Sequence, residues 1–381
     1  MKKRFIGLAL IAVLLIGTIA ACGQKTQENG GTTTPGGNEQ QPKSDGIELA
    51  LITDVGTIDD KSFNQGSWEG LEKYAKENKI SHKYYQPAEK TTAAYLASID
   101  LAVAAGAKVI VTPGFLFEPA VFQAQTAYPD VKFILIDGIP HAEEDQNYEN
   151  PVVADNTQSI FYAEQEAGFL AGYAAVKEGY TKLGFMGGIA VPAVVKFGYG
   201  FVQGAEYAAQ EMKIDKIDIK YNYTGGFAAT PEAQARAASW YESGTEVIFA
   251  CGGAVGNSVM AAAEAAGGKV IGVDVDQSSE SDTVMTSSMK MLQKSVYDAI
   301  ASYYNDSFQG GKSVTLTAKE GGVGLPMETS KFTKFTQKDY DAIYQELVDG
   351  KITLVADVDE NKKQIAVTEL PISIVSVEEI S

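Results

Sequence analysis

The feature that most constrains this chain is that it resembles itself. Phe63 is followed by Gly66, Gly70, Tyr74 and Ala75, and Phe197 by Gly200, Gly204, Tyr207 and Ala208, so glycines recur three and seven residues after each phenylalanine. Each phenylalanine comes after an apolar, β-rich run and reads as opening a helix. The strands further on repeat as well. "KVIVTPG" leads to "KFILID" ending at Asp137 and "EVIFACGG" to "VIGVD" ending at Asp274, with 28 residues from Val109 to the first aspartate and 27 from Val247 to the second. Such duplication predicts two similar lobes. The length of 381 residues agrees, because single cores stop growing at roughly 250–300 residues.

The runs "IELALIT", "KVIVTP", "KFILID", "KLGFMGG", "EVIFACGG" and "VIGVDVD" are short and almost continuously apolar, the pattern of parallel strands covered on both faces. Between them lie stretches with apolar residues at helical spacing, such as Trp68, Leu71 and Ala75, or Leu292, Val296, Ile300 and Tyr303. The class is therefore α/β, with two doubly wound parallel-sheet lobes around a cleft. In such lobes the loops at the carboxyl ends of the strands form the ligand surface. With the lobes facing each other, Phe63 and Phe197 approach from opposite sides and clamp a flat ligand, each stacked face contributing about 1–3 kcal/mol. The competing explanation makes each ring a staple that packs a helix start onto the core.

Lys2, Lys3 and Arg4 precede an uncharged, mostly apolar run from Phe5 to Ala20. That run is shorter than the roughly 20 residues of a spanning helix, so residues 1–21 read as an export signal. It stops at Ile19-Ala20-Ala21-Cys22, which resembles the lipobox of bacterial lipoproteins and implies that Cys22 becomes the acylated N-terminus. Residues 22–45 carry no large aliphatic and no aromatic side chain and read as a flexible tether. Cys251, the other cysteine, lies in an apolar run with no partner left for a disulfide and reads as an inert core thiol. The net charge of -18 repels phosphate backbones, which argues against a nucleic-acid partner.

Five segments, "TDVGTIDDKSFNQGSWEGL", "NTQSIFYAEQEAGFLAGYAA", "GGIAVPAVVKFGYGF", "VIGVDVDQ" and "VMTSSMK", together resemble the basic membrane protein family of lipoproteins, whose best understood members are purine nucleoside receptors. The resemblance covers Ile47 to about Gly350. It implies a type I periplasmic-binding fold, with residues 46–157 and about 286–325 in one lobe and 158–285 and about 326–381 in the other. It also implies a lipid-anchored, extracytoplasmic, monomeric protein without cofactor or metal, which delivers nucleosides to the permease and separate ATPase subunits of an ABC importer. By position, Phe63 and Phe197 match the family's stacking aromatics. Asp54, Asn64 and Asp137 match polar residues that border the base; Asp274 and Lys290 match the ribose side, with Gly253 allowing close backbone approach. A carboxylate that accepts two adjacent sugar hydroxyls, beside a lysine that donates to the same sugar, suits these residue types. The sequence departs from the commoner pattern at Ala254 and Val255, and places Phe115 and Phe117 at the cleft mouth; both departures bear on substrate preference.

Two other readings stand beside this one. A sugar or signal-molecule receptor of the same fold needs polar sandwiching but not two facing aromatics. A calcium-dependent nucleoside hydrolase would use the aspartates of "TDVGTIDD", but Ile52 stands where such enzymes place a further Asp, and the gap to Asp59 and Asp60 is one residue longer than they require. A glycosidase pair at Glu164 and Glu166 is weaker, because helix neighbours two apart face different sides. Only His82 and His141 are available for histidine chemistry. "GGKS" at Gly310 to Ser313 lacks the first glycine of a phosphate loop, where Asp306 stands, so any ATPase is a separate subunit.

Overall fold

The apolar runs become strands because their branched side chains are buried on both faces of a sheet, and Leu49, Leu51, Val109, Val111, Val247 and Phe249 are all fully buried. The computed structural model describes residues 46–145, 147–358 and 364–380. The expected export signal at 1–21, the lipidation site Cys22 and the tether at 22–45 lie outside the described residues.

The first series of elements comprises β1 (Leu49–Ile52), α1 (Phe63–Asn78), β2 (His82–Tyr85), α2 (Thr92–Ala104), β3 (Val109–Pro113), α3 (Glu118–Ala127), β4 (Lys132–Ile136) and β5 (Thr157–Tyr162). After α4 (Glu164–Glu178) the series repeats as β6 (Lys182–Gly187), α5 (Pro192–Met212), β7 (Ile217–Tyr223), α6 (Pro231–Glu242), β8 (Val247–Cys251), α7 (Val255–Ala266), β9 (Lys269–Asp274) and β10 (Val284–Lys290). The chain then runs through α8 (Leu292–Tyr304), β11 (Lys312–Leu316), β12 (Val323–Gly324), α9 (Gln337–Val348) and β13 (Val375–Glu379).

One sheet has the order β11-β5-β4-β3-β1-β2 and the other β12-β10-β9-β8-β6-β7-β13. The five strands from β5 to β2 correspond in order and direction to those from β10 to β7, so the duplication read in the sequence is a duplication of topology; the edge strands differ, β11 pairing parallel with β5 and β12 antiparallel with β10. The chain changes sheet after β5, after β10 and after β11. Breaks were expected near 157, 285 and 325; β5 and β10 instead complete their own sheets, β5 by parallel pairing with β4 and β10 by parallel pairing with β9. After crossing, each helix lands on the other half: α4 packs on α5, and α8 packs on α1.

The glycine repeat belongs to these landings. A Cβ on Gly70 would meet the backbone of Gln293 in α8, whereas one on Gly200 or Gly204 would overlap the carbonyl of Gln165 or Phe169 in α4. Gly168 and Gly172 of α4 stand in the same relation to Phe197 and Phe201. The motif is thus a contact surface between helices, and it does not mark two equivalent helix starts: Phe63 opens α1, but Phe197 lies a full turn inside α5. The C-terminal strand is tied down by buried Glu206, which accepts the backbone N–H groups of Ser373, Ile374 and Val375.

Gly204→Ala is expected to destabilise the fold by about 1–3 kcal/mol, because the obstruction is backbone and cannot rotate away. Gly226→Ala, with nothing within 4 Å of the new methyl, should leave the urea midpoint within error of the parent.

Candidate ligand-binding site

The carboxyl ends of both sheets converge on a cavity of about 400 Å3. From the first half come Asp54 beyond β1, Gly114 and Phe115 beyond β3, Asp137 beyond β4, and Phe63 at the start of α1. The second half supplies Val191, Pro192, Ala193, Val194, Lys196 and Phe197 around the start of α5, Phe227 beyond β7, Cys251 and Gly252, Asp274 at the end of β9, and Lys290 at the end of β10. Glu164, the first residue of α4, completes the wall.

Lys290 is the centre of this arrangement and is only 3% exposed. Its Nζ pairs with Asp137 Oδ2, lies 3.3 Å from Glu164 Oε1 and 3.9 Å from Asp274 Oδ1. The ammonium also lies 4.9 Å from the centre of the Phe63 ring, 5.3 Å from Phe197 and 5.5 Å from Tyr162, within cation–π range of each. Burial alone would depress its pKa; the carboxylates of Asp137, Glu164 and Asp274 outweigh burial and hold it above the ordinary lysine value. Lys290 is therefore a buried ammonium, not a solvated surface lysine.

The two strand-end aspartates are structural counterparts. Asp137 and Asp274 both adopt positive φ, 54° and 66°, a left-handed conformation that aspartate tolerates better than most residues but that still costs free energy. That backbone aims both carboxylates across the cleft. Ser62, ahead of α1, donates its hydroxyl to Asp274 Oδ2, and Gln277 Nε2 donates to the Lys61 carbonyl at 2.7 Å. With the Lys290–Asp137 pair, these bonds bridge the two halves. Burial pushes the Asp274 carboxyl up to about 6, against the opposite pull of Lys290 and Ser62. Asp137 Oδ1 is buried without a hydrogen-bond partner among the described residues, an acceptor whose desolvation a ligand donor would offset.

Asp54 is held by a separate network. Its Oδ1 accepts Gly56 N–H at 2.8 Å and Asn64 Nδ2 at 2.9 Å. Burial raises its pKa despite those donors. Asn64 spends its amide on Asp54 and Asp60 and does not itself line the cavity; its place is behind Asp54. Asp60 accepts the backbone N–H groups of Ser62, Asn64 and Gln65 and so caps the start of α1. Asp54 Oδ1 and both oxygens of Asp60 are taken by these donors, and no group of three or more potential metal ligands is found among the described residues, so the aspartates of this loop are not gathered into the cation cluster that a hydrolase reading requires.

Of the residues singled out from the sequence, Phe63, Phe197, Asp54, Asp137, Asp274 and Lys290 line one cavity. Gly253, with φ 55°, adjoins it next to Gly252, and a Cβ there would come 3.5 Å from the Phe227 carbonyl. Phe197 is 1% exposed and packs edge-on against Phe249, so most of its ring belongs to the core. Phe115 lines the cavity as expected at the mouth, but Phe117 is fully buried against Tyr95. Cys251 is buried as expected and also touches the cavity.

Sequence reasoning did not single out Phe227, Glu118 or Lys196. Phe227, half-buried behind Gly225 and Gly226, could have been found as an aromatic in a glycine-rich loop at the carboxyl end of a strand. Glu118, buried under Tyr148 and His141, has no such signal. Glu164 and Glu166 do diverge: Glu164 faces Lys290, whereas Glu166 accepts the Ala318 N–H.

The profile of PnrA-like ABC transporter substrate-binding proteins, Bmp, matches residues 47–357. The ABC transporter nucleoside-binding protein BmpA of Lactococcus lactis is 30% identical over 380 residues, 93% of this chain and 99% of its own. Basic membrane protein A of Borreliella burgdorferi is 29% identical over 321 residues, 83% of this chain and 90% of its own. Among solved structures, an ABC transporter solute-binding protein from Aeropyrum pernix superposes with a TM-score of 0.70 at 24% identity, covering 83% of this chain and 95% of its own. Another, from Conexibacter woesei, gives 0.65 at 21% identity, covering 81% and 99%. At those identities the likeness bears on the fold, that of the type I periplasmic solute-binding proteins. The chain belongs to the Bmp family of ABC transporter substrate-binding proteins.

Proposed function

We propose that this substrate-binding protein captures nucleosides, purine nucleosides foremost, on the outer side of the cell membrane, and passes them to the permease and ATPase subunits of an ABC importer. In this reading a lipid on Cys22 holds it at the membrane. One observation carries the nucleoside reading: aromatic rings from both halves and a lysine–carboxylate cluster meet in a single cavity of about 400 Å3, within the range of small-molecule sites. A nucleoside needs both, since its base is a flat π system and its ribose a cluster of hydroxyls. Phe63 offers one face. Phe227, less buried than Phe197, is the better placed to offer the second. Asp274 Oδ1 and Lys290 suit adjacent sugar hydroxyls, and Asp54 and Asp137 suit ring or exocyclic N–H groups. Five carboxylates line the cavity, Asp54, Glu118, Asp137, Glu164 and Asp274, against Lys196 and Lys290. That balance favours an uncharged nucleoside over a phosphorylated one. The name of the Lactococcus relative, a nucleoside-binding protein, supports the same class.

Phe63→Ala and Phe227→Ala are each expected to weaken inosine binding by about 1–3 kcal/mol while the melting temperature changes little. Phe197→Ala should instead cost about 3–5 kcal/mol of stability through the cavity it leaves. Calorimetric affinity and thermal melting on the same three variants separate the roles; lost affinity at unchanged stability for Phe197→Ala would restore it as a stacking face.

Asp274→Ala should weaken nucleoside binding by about 1.5–3 kcal/mol, the range for hydrogen bonds to a charged group, and weaken binding of the free base much less. Equal losses for inosine and hypoxanthine would remove Asp274 from the ribose side.

Cys22→Ser should yield a folded protein that incorporates no labelled palmitate and partitions into the soluble fraction. Continued labelling would overturn the anchor.

A further inference from the structure

Glu164 is a buried carboxylate of the cavity wall, 2% exposed, that neither helix packing nor the stacking and sugar contacts require. It faces a crowded group of charges. Lys290 on β10 lies 3.3 Å away, and Asp137 beyond β4 and Asp274 on β9 share that lysine. Lys196 on α5, Tyr162 on β5 and Cys251 on β8 also act on it or feel its charge. Three carboxylates around one ammonium leave an excess of negative charge among side chains that are almost fully buried, and such groups do not all ionise together.

The partners decide which of the three holds a proton. Asp137 has the closest contact with Lys290, and Asp274 accepts the Ser62 hydroxyl. Glu164 has Lys290 as its only salt-bridge partner among the described residues. Its place at the first residue of α4 favours the charged form by about 0.3–1 kcal/mol. That is less than the several kcal/mol it costs to bury an ion that is not fully compensated.

We propose that Glu164 is the proton-carrying residue of the cluster: it positions Lys290 between the two strand-end aspartates, and nucleoside binding draws a proton onto it. The inference rests on the nucleoside reading only for its ligand arm. A bound nucleoside displaces water from the cavity and takes Lys290 as a donor, and both changes favour the neutral acid. Burial already pushes this carboxyl up to about 7 before any ligand is considered. The sign follows. A site that binds its proton more tightly when occupied loses ligand affinity as pH rises through and above 7. Hydroxyl donation to Asp274 would act oppositely, but near its own lower value of about 6.

The test uses wild type and Glu164→Gln, which keeps the shape of the neutral acid without its titration. In ligand-free protein, Glu164 binds more protons folded than unfolded between about pH 4.5 and 7, so it lowers stability as pH rises through that window. Wild type should lose melting temperature across the window relative to Glu164→Gln, and parallel curves overturn the proton assignment whatever the ligand. In the ligand arm, the inosine dissociation constant of wild type should rise roughly fivefold to tenfold from pH 6.5 to 8.5. Calorimetry in two buffers of different ionisation enthalpy should show proton uptake, and both effects should vanish in Glu164→Gln whatever its absolute affinity. His141, which packs on Glu118 in the loop beyond β4, is unchanged in the variant and drops out of the comparison. A slope that survives in Glu164→Gln overturns the coupling, whereas failure of wild type to bind inosine at any pH overturns the nucleoside reading and leaves the melting comparison to decide the proton.

Discussion

The site depends on one buried cation. An ammonium at Lys290's depth loses several kcal/mol of hydration, which only close and well-placed carboxylates can offset. The fold supplies them from both halves. Asp137 comes from the sheet containing β4, and Asp274 and Lys290 come from adjacent strands of the other sheet. Such a pair is a poor source of net stability and a good source of geometry. It ties the two sheets together at the wall of the cavity, where one donor and several acceptors lie side by side.

Duplication explains why the carboxylates are aimed so well. Asp137 and Asp274 end corresponding strands, share a left-handed backbone, and converge from opposite sides. Lys290 has no such twin: the corresponding position at the end of β5 is Tyr162, whose ring stands 5.5 Å from the ammonium. The same asymmetry appears after the third strand of each series. Phe115 follows β3, while Gly252 and Gly253 follow β8 and leave room for Phe227 from the neighbouring loop. Symmetric topology thus builds the cleft, and broken symmetry in side chains makes its two walls chemically different.

How much of this was legible depended on burial. The six strands read from continuous apolar runs are all strands, because being covered on both faces leaves an unmistakable pattern. β2 (His82–Tyr85), partly exposed at a sheet edge, and β10 (Val284–Lys290), rich in Ser and Thr, carry no such pattern. β2 joins the sheet by pairing with β1 and β10 by pairing with β9. The repeat was legible, but its meaning at Phe197 was not. Identical glycine spacing follows from helices that must approach another backbone, and it says nothing about where each helix begins. Asp54, Asp137, Asp274 and Lys290 were legible through their strand-end positions and the family resemblance, whereas Glu118 and Lys196, which also line the cavity, were not. Glu164 as a partner of Lys290 was not, since residues so far apart meet only through a crossover between sheets.

That crossover also sets the terms on which ligand can bind. Asp274 Oδ2 is already engaged by Ser62 and Lys290 Nζ by Asp137, so a ligand that uses these groups exchanges some bonds between the halves for bonds to itself. Its net affinity is the difference, and a flat group laid on Phe63 adds to it without breaking a hydrogen bond, although that ring also lies within cation–π range of Lys290. Asp137 Oδ1, buried and unpartnered, is free of that exchange. A donor that reaches it adds a hydrogen bond without breaking one, so the placement of a ligand's N–H or O–H groups against this atom should discriminate between ligands.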